Sequence, residues 1–154
     1  MGNSELFIGI DPGMSGGVAM IYGEKYTAIP MPGTRLQLHT LIKLWADSYG
    51  TSGKIACVEK VASRPGQGVA STFKFGKGYG EVLGIVTALG FRIIEPTPQA
   101  WKKVMLAGTD KSKDASIQMA ENLFPNIELV QPGCRKPHDG AAEALLLAEY
   151  GRTL

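Results

Sequence analysis

The chain has 154 residues, 44% of them hydrophobic and 19% charged, with 16 Lys and Arg against 14 Asp and Glu. That suffices for one domain with its own core, an ordinary soluble composition, and a net charge of +2 too small to announce a nucleic-acid partner. Two distant cysteines, Cys57 and Cys134, exclude a disulfide framework and a CxxC zinc site, and they suit a reducing cytoplasm. The longest apolar stretches, such as 141–148, fall far short of the ~20 residues of a membrane span, so no membrane partner is expected. Residues 1–5 are polar and lack the basic start of a secretory signal.

The stretch 6–22, LFIGIDPGMSGGVAMIY, reads as two apolar strands around a Pro-Gly and Ser-Gly-Gly turn. The first strand ends in a carboxylate, Asp11. Residues 25–29 suit a third strand, closed by Pro30 and Pro32. Thr34 is placed to cap a helix over 36–49, with Leu38, Leu41, Ile42 and Trp45 on its apolar face. After a loop at 50–53, the short strand 55–58 ends at Glu59 and so repeats the pattern of the first. A Gly- and Pro-rich mobile loop is expected over 62–68. A helix over 71–88 then has Phe73, Val82, Ile85, Val86 and Leu89 as core candidates. Gly76, Gly78, Gly80 and Gly84 weaken its propensity and predict a close backbone approach.

A fifth strand spans 91–95 and stops at Pro96. Pro98 opens a short helix, 99–105, and a further helix covers 111–123 with Ile117, Ala120 and Leu123 inward. Irregular chain leads to a last helix, 138–150, built almost wholly from Ala and Leu. Hairpins followed by alternating α and β elements predict an α/β fold, a mixed sheet with helices on both faces.

Asp139 and Glu143 stand at i, i+4, on one face of that last helix. Like charges so spaced repel by a few tenths of a kcal/mol, roughly, and a cation between them would reverse the sign. Asp139 alone suits the helix dipole; Glu143, between Ala142 and Ala144, has no such account. With Asp11 and Glu59 they make an oxygen-only set, the donor chemistry of Mg²⁺ or Mn²⁺. Two such ions ~4 Å apart activate water and stabilise the leaving oxygen in phosphodiester cleavage. His138 is a ligand, a proton shuttle or simply a helix cap. Between positions 60 and 113, nine basic side chains face three acids, a local basic excess able to hold phosphate.

Five segments, IGIDPGMSGGVA, VEKV, PTPQAWKKVM, TDKSKDASIQMA and HDGAAEALLLAEYG, resemble in order and approximate spacing the RuvC-type Holliday junction resolvases, the final segment being more similar to phage and organellar members than to the common bacterial form. The resemblance runs over nearly the whole chain. It implies one RuvC-like nuclease domain over 1–154, with a ribonuclease-H-like fold and a mixed five-stranded sheet. It also implies a homodimer, and Mg²⁺-dependent paired nicking of a four-way DNA junction, in the cytoplasm or wherever organellar or viral junction DNA resides. By position, Asp11 and Glu59 match the first two catalytic carboxylates, and Asp139 and Glu143 the last two acidic positions. That final pair departs from the common i, i+3 spacing, which leaves Asp139 or His138 as the partner of Glu143. Lys102 and Lys111 match basic positions that contact phosphate and stabilise charge, with Lys111 assigned to catalysis. Lys60, Arg64, Lys74, Lys77, Lys103 and Lys113 complete the expected DNA-binding set.

Ala62 stands where some members carry a base-stacking aromatic; Arg64, Phe73 and Phe75 are the candidate substitutes, with Phe73 equally a core candidate, and substrate sequence preference stays open. Gly13, Gly16 and Gly17 are read as turn-makers that leave room for a DNA backbone. Two other functions fit parts of the chain. The first stretch alone matches the phosphate loop of an actin- or sugar-kinase-like phosphotransferase or ATPase, which ordinarily needs a second domain and a second Gly-rich loop. A junction-binding protein without cleavage is the third reading, and the intact set of acids argues against it.

Overall fold

A computed structural model describes residues 4–50 and 52–154, so segments 1–5 and 50–53 fall partly outside the described residues. Strands β1 (Leu6–Asp11), β2 (Gly17–Tyr22) and β3 (Lys25–Pro30) form an antiparallel meander, with β1 pairing β2 and β2 pairing β3. Helix α1 (Arg35–Tyr49) leads to β4 (Lys54–Val58), and α2 (Val69–Ala88) leads to the short β5 (Arg92–Ile94). Both β4 and β5 run parallel to β1, which completes a five-stranded mixed sheet in the order β3-β2-β1-β4-β5. Helices α3 (Pro98–Met105), α4 (Lys113–Leu123) and α5 (Asp139–Thr153) follow.

Every helix but α2, which starts at Gly68 without a side-chain cap, begins where a hydroxyl or imidazole serves its orphan N–H groups. Thr34 and Gln37 make a reciprocal capping box, and Thr97 and Ser112 cap α3 and α4. Such a cap is worth about 1 kcal/mol.

The period-two alternation of the strands sorts their side chains onto two helical layers. Leu6, Ile8 and Ile10 of β1, with Ala56 and Val58 of β4, pack under α1 and α2 beside Leu38, Ile42, Val82 and Val86. Phe7 and Cys57 face the other way, toward α3, α4 and α5. Helix α5 lies against the sheet on one side and against α3 and α4 on the other, so residues 140–148 are all buried. That placement explains a helix apolar all round. Each of Leu145, Leu146 and Leu147 contributes about 1.5–3 kcal/mol by burial. The expectation of an α/β fold with helices on both faces is met.

Several local expectations are corrected. Phe73 is not core but 74% exposed, because α2 buries only the face bearing Val82 and Val86. Leu123, at the last position of α4, is also exposed. A Cβ added at Gly76, Gly78, Gly80 or Gly84 would meet open space, so no close approach within the described residues explains these glycines. The 62–68 segment is irregular as expected, and within it the Gln67 N–H donates to the Arg64 carbonyl at 3.1 Å while the Gln67 amide accepts from the Arg64 N–H at 3.2 Å.

Candidate metal centre

Asp11 closes β1, and Glu59 is the residue after β4. The Glu59 N–H donates to the Ile10 carbonyl at 3.0 Å, which carries the parallel ladder one step past the strand and sets Glu59 beside Asp11. Both fall in phase with Phe7 and Cys57, so both carboxylates project to the α5 side. The N–H of Lys60 donates to the Pro96 carbonyl at 2.8 Å and fixes the other flank of Glu59. From α5 comes Glu143, 7% exposed. Oxygens of Asp11, Glu59 and Glu143 all lie within 4.8 Å of one another. The three acids thus converge at the carboxyl ends of two adjacent parallel strands, where α/β sheets commonly place their sites.

Three carboxylates so close are electrostatically costly without a cation. Burial, the charges of Glu59 and Glu143 and a hydrogen bond to Glu143 push the Asp11 carboxyl from 3.8 up to about 8, against the opposing pull of Lys102. Burial also raises Glu59, partly offset by its hydrogen bond from Trp101. An all-oxygen, anionic, part-buried cluster fits a hard divalent cation such as Mg²⁺ or Mn²⁺.

Two helices brace the acids. The Trp101 indole N–H donates to Glu59 Oε2 at 2.7 Å from a fully buried position on α3. Its neighbour Lys102 sets Nζ 3.3 Å from Glu143 Oε1 and 5.4 Å from the centre of the Trp101 ring. From α4, the buried Ser116 hydroxyl donates to Glu143 Oε1 at 3.2 Å. Neither Trp101 nor Ser116 was singled out from the sequence. A signal did exist for Ser116, a polar residue four positions before Ala120 on the inward face of α4.

The i, i+4 acid pair is divided. Glu143 joins the cluster, whereas Asp139 lies outside it and pairs with Lys113 at 3.2 Å. His138 is the N-cap of α5, its Nδ1 accepting the Ala141 N–H at 3.0 Å, which is the capping role weighed from the sequence.

Among the basic candidates, Lys60, Arg64, Lys74, Lys77, Lys103, Lys111 and Lys113 are exposed and Lys102 is partly buried in the site. Lys111 adopts a left-handed backbone, φ 58°, between α3 and α4. The Thr109 hydroxyl accepts its N–H at 3.1 Å, and Asp110 accepts the Ser112 N–H at 3.0 Å. Phe75 of α2 reaches back over Gly13, whose added Cβ would stand 3.7 Å from its ring. Gly16 and Gly17 serve the fold rather than a DNA backbone. A Cβ on Gly16 would stand 1.8 Å from the Asp11 carbonyl oxygen, and one on Gly17 would stand 2.5 Å from that of Gly140.

The arrangement of sheet, helices and acids has close counterparts among solved structures. RuvC of Thermus thermophilus in complex with a Holliday junction substrate superposes with a TM-score of 0.64, over 95% of this chain and 92% of that one, at 15% identity. The chain has the RuvC fold. A second structure of the Thermus RuvC gives a TM-score of 0.60 at 14% identity, over 96% of this chain and 95% of that one. The yeast mitochondrial Holliday junction resolvase Ydc2 gives 0.53 at 12% identity, over 93% of this chain and 75% of that one. In sequence, the chain is 34% identical over 87 residues to the chloroplastic Holliday junction resolvase MOC1 of Chlamydomonas reinhardtii. That match spans 56% of this chain and 10% of the length of the relative. No family model matches the chain. The likeness to RuvC and to organellar resolvases bears out the resemblance drawn from the five motifs, and the RuvC fold is the ribonuclease-H-like fold expected.

Proposed function

We propose that this protein is a metal-dependent endonuclease that resolves four-way DNA junctions by paired nicks on symmetric strands. The observation that carries the reading is the convergence of Asp11, Glu59 and Glu143 within 4.8 Å on a RuvC fold. Mg²⁺ or Mn²⁺ held by these acids would supply water activation and charge stabilisation at a scissile phosphate. Asp139 and His138 stand at the start of α5, one turn before Glu143, and Asp139 becomes available to a cation or to DNA if Lys113 turns to phosphate. Lys102, paired with Glu143 at 3.3 Å, is assigned to the reacting phosphate, and Lys111, in the link between α3 and α4, to charge stabilisation. The products are 5′-phosphate and 3′-hydroxyl ends.

The exposed Lys60, Arg64, Lys74, Lys77, Lys103 and Lys113 are assigned to the junction backbone. Phe73, free of the core, and Phe75, over the Gly13 turn, are the stacking candidates that replace the aromatic absent at Ala62. A symmetric dimer would present two such sites to symmetric strands. Its support is a bare stripe on the solvent side of α2, where Phe73, Gly76, Gly80 and Gly84 follow at three- and four-residue steps with nothing above the glycines. Free thiols at Cys57 and Cys134 fit a reducing compartment that holds recombining DNA. Among the described residues no helix is long and apolar enough to cross a membrane.

The test is incubation with labelled four-way junction, linear duplex and ATP, each with Mg²⁺ or EDTA. Paired nicks confined to the junction and to Mg²⁺ are expected. ATP turnover without DNA cleavage would instead favour the phosphotransferase reading, and junction binding without nicks the non-cleaving one.

A further inference from the structure

We infer that Trp101 is a positioning residue for the metal centre, its indole N–H fixing the orientation of the Glu59 carboxylate. This rests on the reading of Asp11, Glu59 and Glu143 as metal ligands, and it adds a residue that touches neither metal nor DNA. A glutamate's last torsion is soft, so a carboxylate at a strand end turns freely unless something holds it. The backbone of Glu59 is already held on both flanks, by the Ile10 and Pro96 carbonyls. The remaining freedom is the side chain's, and Trp101 removes it.

The indole has a single donor, and at 0% exposure that donor cannot turn to water. Its partner is Glu59 Oε2 at 2.7 Å, a length proper to a hydrogen bond onto a charged acceptor. The donor itself is anchored. Trp101 lies in the first half of α3, a helix started by Pro98 and capped by the Thr97 hydroxyl, and its ring belongs to the apolar cluster around α5. Lys102 Nζ lies 5.4 Å from the centre of that ring, on the side that leads to Glu143. Two consecutive residues of α3 therefore address two different acids of the cluster. Partners that orient ligating side chains typically change metal affinity by about 10- to 100-fold when removed.

Two variants separate the hydrogen bond from mere packing. Trp101→Phe removes the N–H and some volume; benzothienylalanine incorporated at position 101 alone removes the N–H and keeps the shape. Mn²⁺ binding is measured by calorimetry without DNA, beside wild type, with melting curves in EDTA as the control for folding. The expected result is a Mn²⁺ affinity about tenfold or more below wild type in both variants. The Mg²⁺ midpoint for junction nicking should shift in parallel, with the rate largely recovered at saturating Mg²⁺ and junction binding in EDTA unchanged. A folded isosteric variant that binds Mn²⁺ as wild type does overturns the inference and leaves the metal centre standing. An isosteric variant that fails to fold also overturns it, by making the N–H structural. Wild-type protein that takes up no Mn²⁺ overturns the metal reading and this inference with it.

Discussion

Gly9 of β1 and Ala144 of α5 meet so closely that a Cβ on Gly9 would stand 1.9 Å from the Ala144 carbonyl oxygen. Gly9 precedes Asp11 by two residues on the same face of the strand, and Ala144 follows Glu143. The absence of one side chain therefore lets α5 settle onto the sheet at the depth at which Glu143 reaches Asp11. A second contact of this kind, between Gly17 and Gly140, seats the start of the helix, with Gly140 carbonyl oxygen 2.5 Å from where a Gly17 Cβ would be.

Gly9→Ala is accordingly expected to destabilise the protein by about 3 kcal/mol or more, at or beyond the upper end of ordinary overpacking, because the obstacle is backbone and cannot rotate away. Urea unfolding gives the number. A cost below 1 kcal/mol would mean that α5 shifts freely and that its depth is not what sets the cluster.

Asp11→Asn should lower junction nicking by roughly a thousandfold or more, since a metal clamp on the reacting oxygens is worth several kcal/mol. Junction binding in a gel-shift assay should persist, and the melting temperature in EDTA should hold or rise as one of three crowded charges disappears. Loss of binding together with nicking would make Asp11 structural.

The pH dependence of the metal-free protein follows from the same crowding. Folding raises the Asp11 carboxyl from 3.8 to about 8, chiefly by burial and then by the charges of Glu59 and Glu143, so the native state holds this proton more tightly than the unfolded chain. The site's contribution to stability is full below about pH 4 and is lost as pH rises through about 8. Urea midpoints in EDTA should therefore be lower at pH 8.5 than at pH 5.5, and Mg²⁺ should restore the difference at the higher pH. A midpoint that climbs across this window without metal would contradict the assignment.

Ser116→Ala removes the hydroxyl donor to Glu143 without opening a large cavity. About 1–2 kcal/mol of stability should go with it, the cost of a buried acceptor losing a partner, with Lys102 left to hold the acid. Thermal melts in EDTA check this; an unchanged melt would show that Lys102 alone satisfies Glu143.

On α2, Gly80→Ala should raise monomer stability by about 0.5–1 kcal/mol through helix propensity, because its Cβ meets nothing. Gly80→Leu should convert a dimer to monomer by sedimentation if the bare stripe is where two copies meet. A dimer that tolerates leucine there would move the interface elsewhere.

Much of this was legible in the chain itself. Apolar runs ended by Asp11 and Glu59, the Pro30 and Pro96 stops, the Thr34 cap and the Ala/Leu body of the last helix mark local events with local causes. They yielded the succession of strands and helices along the chain and the cluster's three acids, named together with Asp139. The i, i+4 pair shows where local pattern stops. Asp139 and Glu143 are equivalent by spacing, yet one faces Lys113 at the rim and the other faces Lys102 and Ser116 inside. Phe73 misled for the opposite reason. A phenylalanine in a helix reads as core, but which side of α2 is buried depends on what packs there.

By itself, then, the sequence determined that acidic residues would sit at the ends of apolar elements in an α/β domain, because strand and helix periods act over a few residues. Only the tertiary structure decided which acids share a site and what holds them. The depth of α5 at Gly9, the extension of the β4 ladder to Glu59 and the reach of Trp101 across 42 positions to that carboxylate all join residues far apart in the chain. Such contacts follow from packing, which no short stretch of sequence encodes alone.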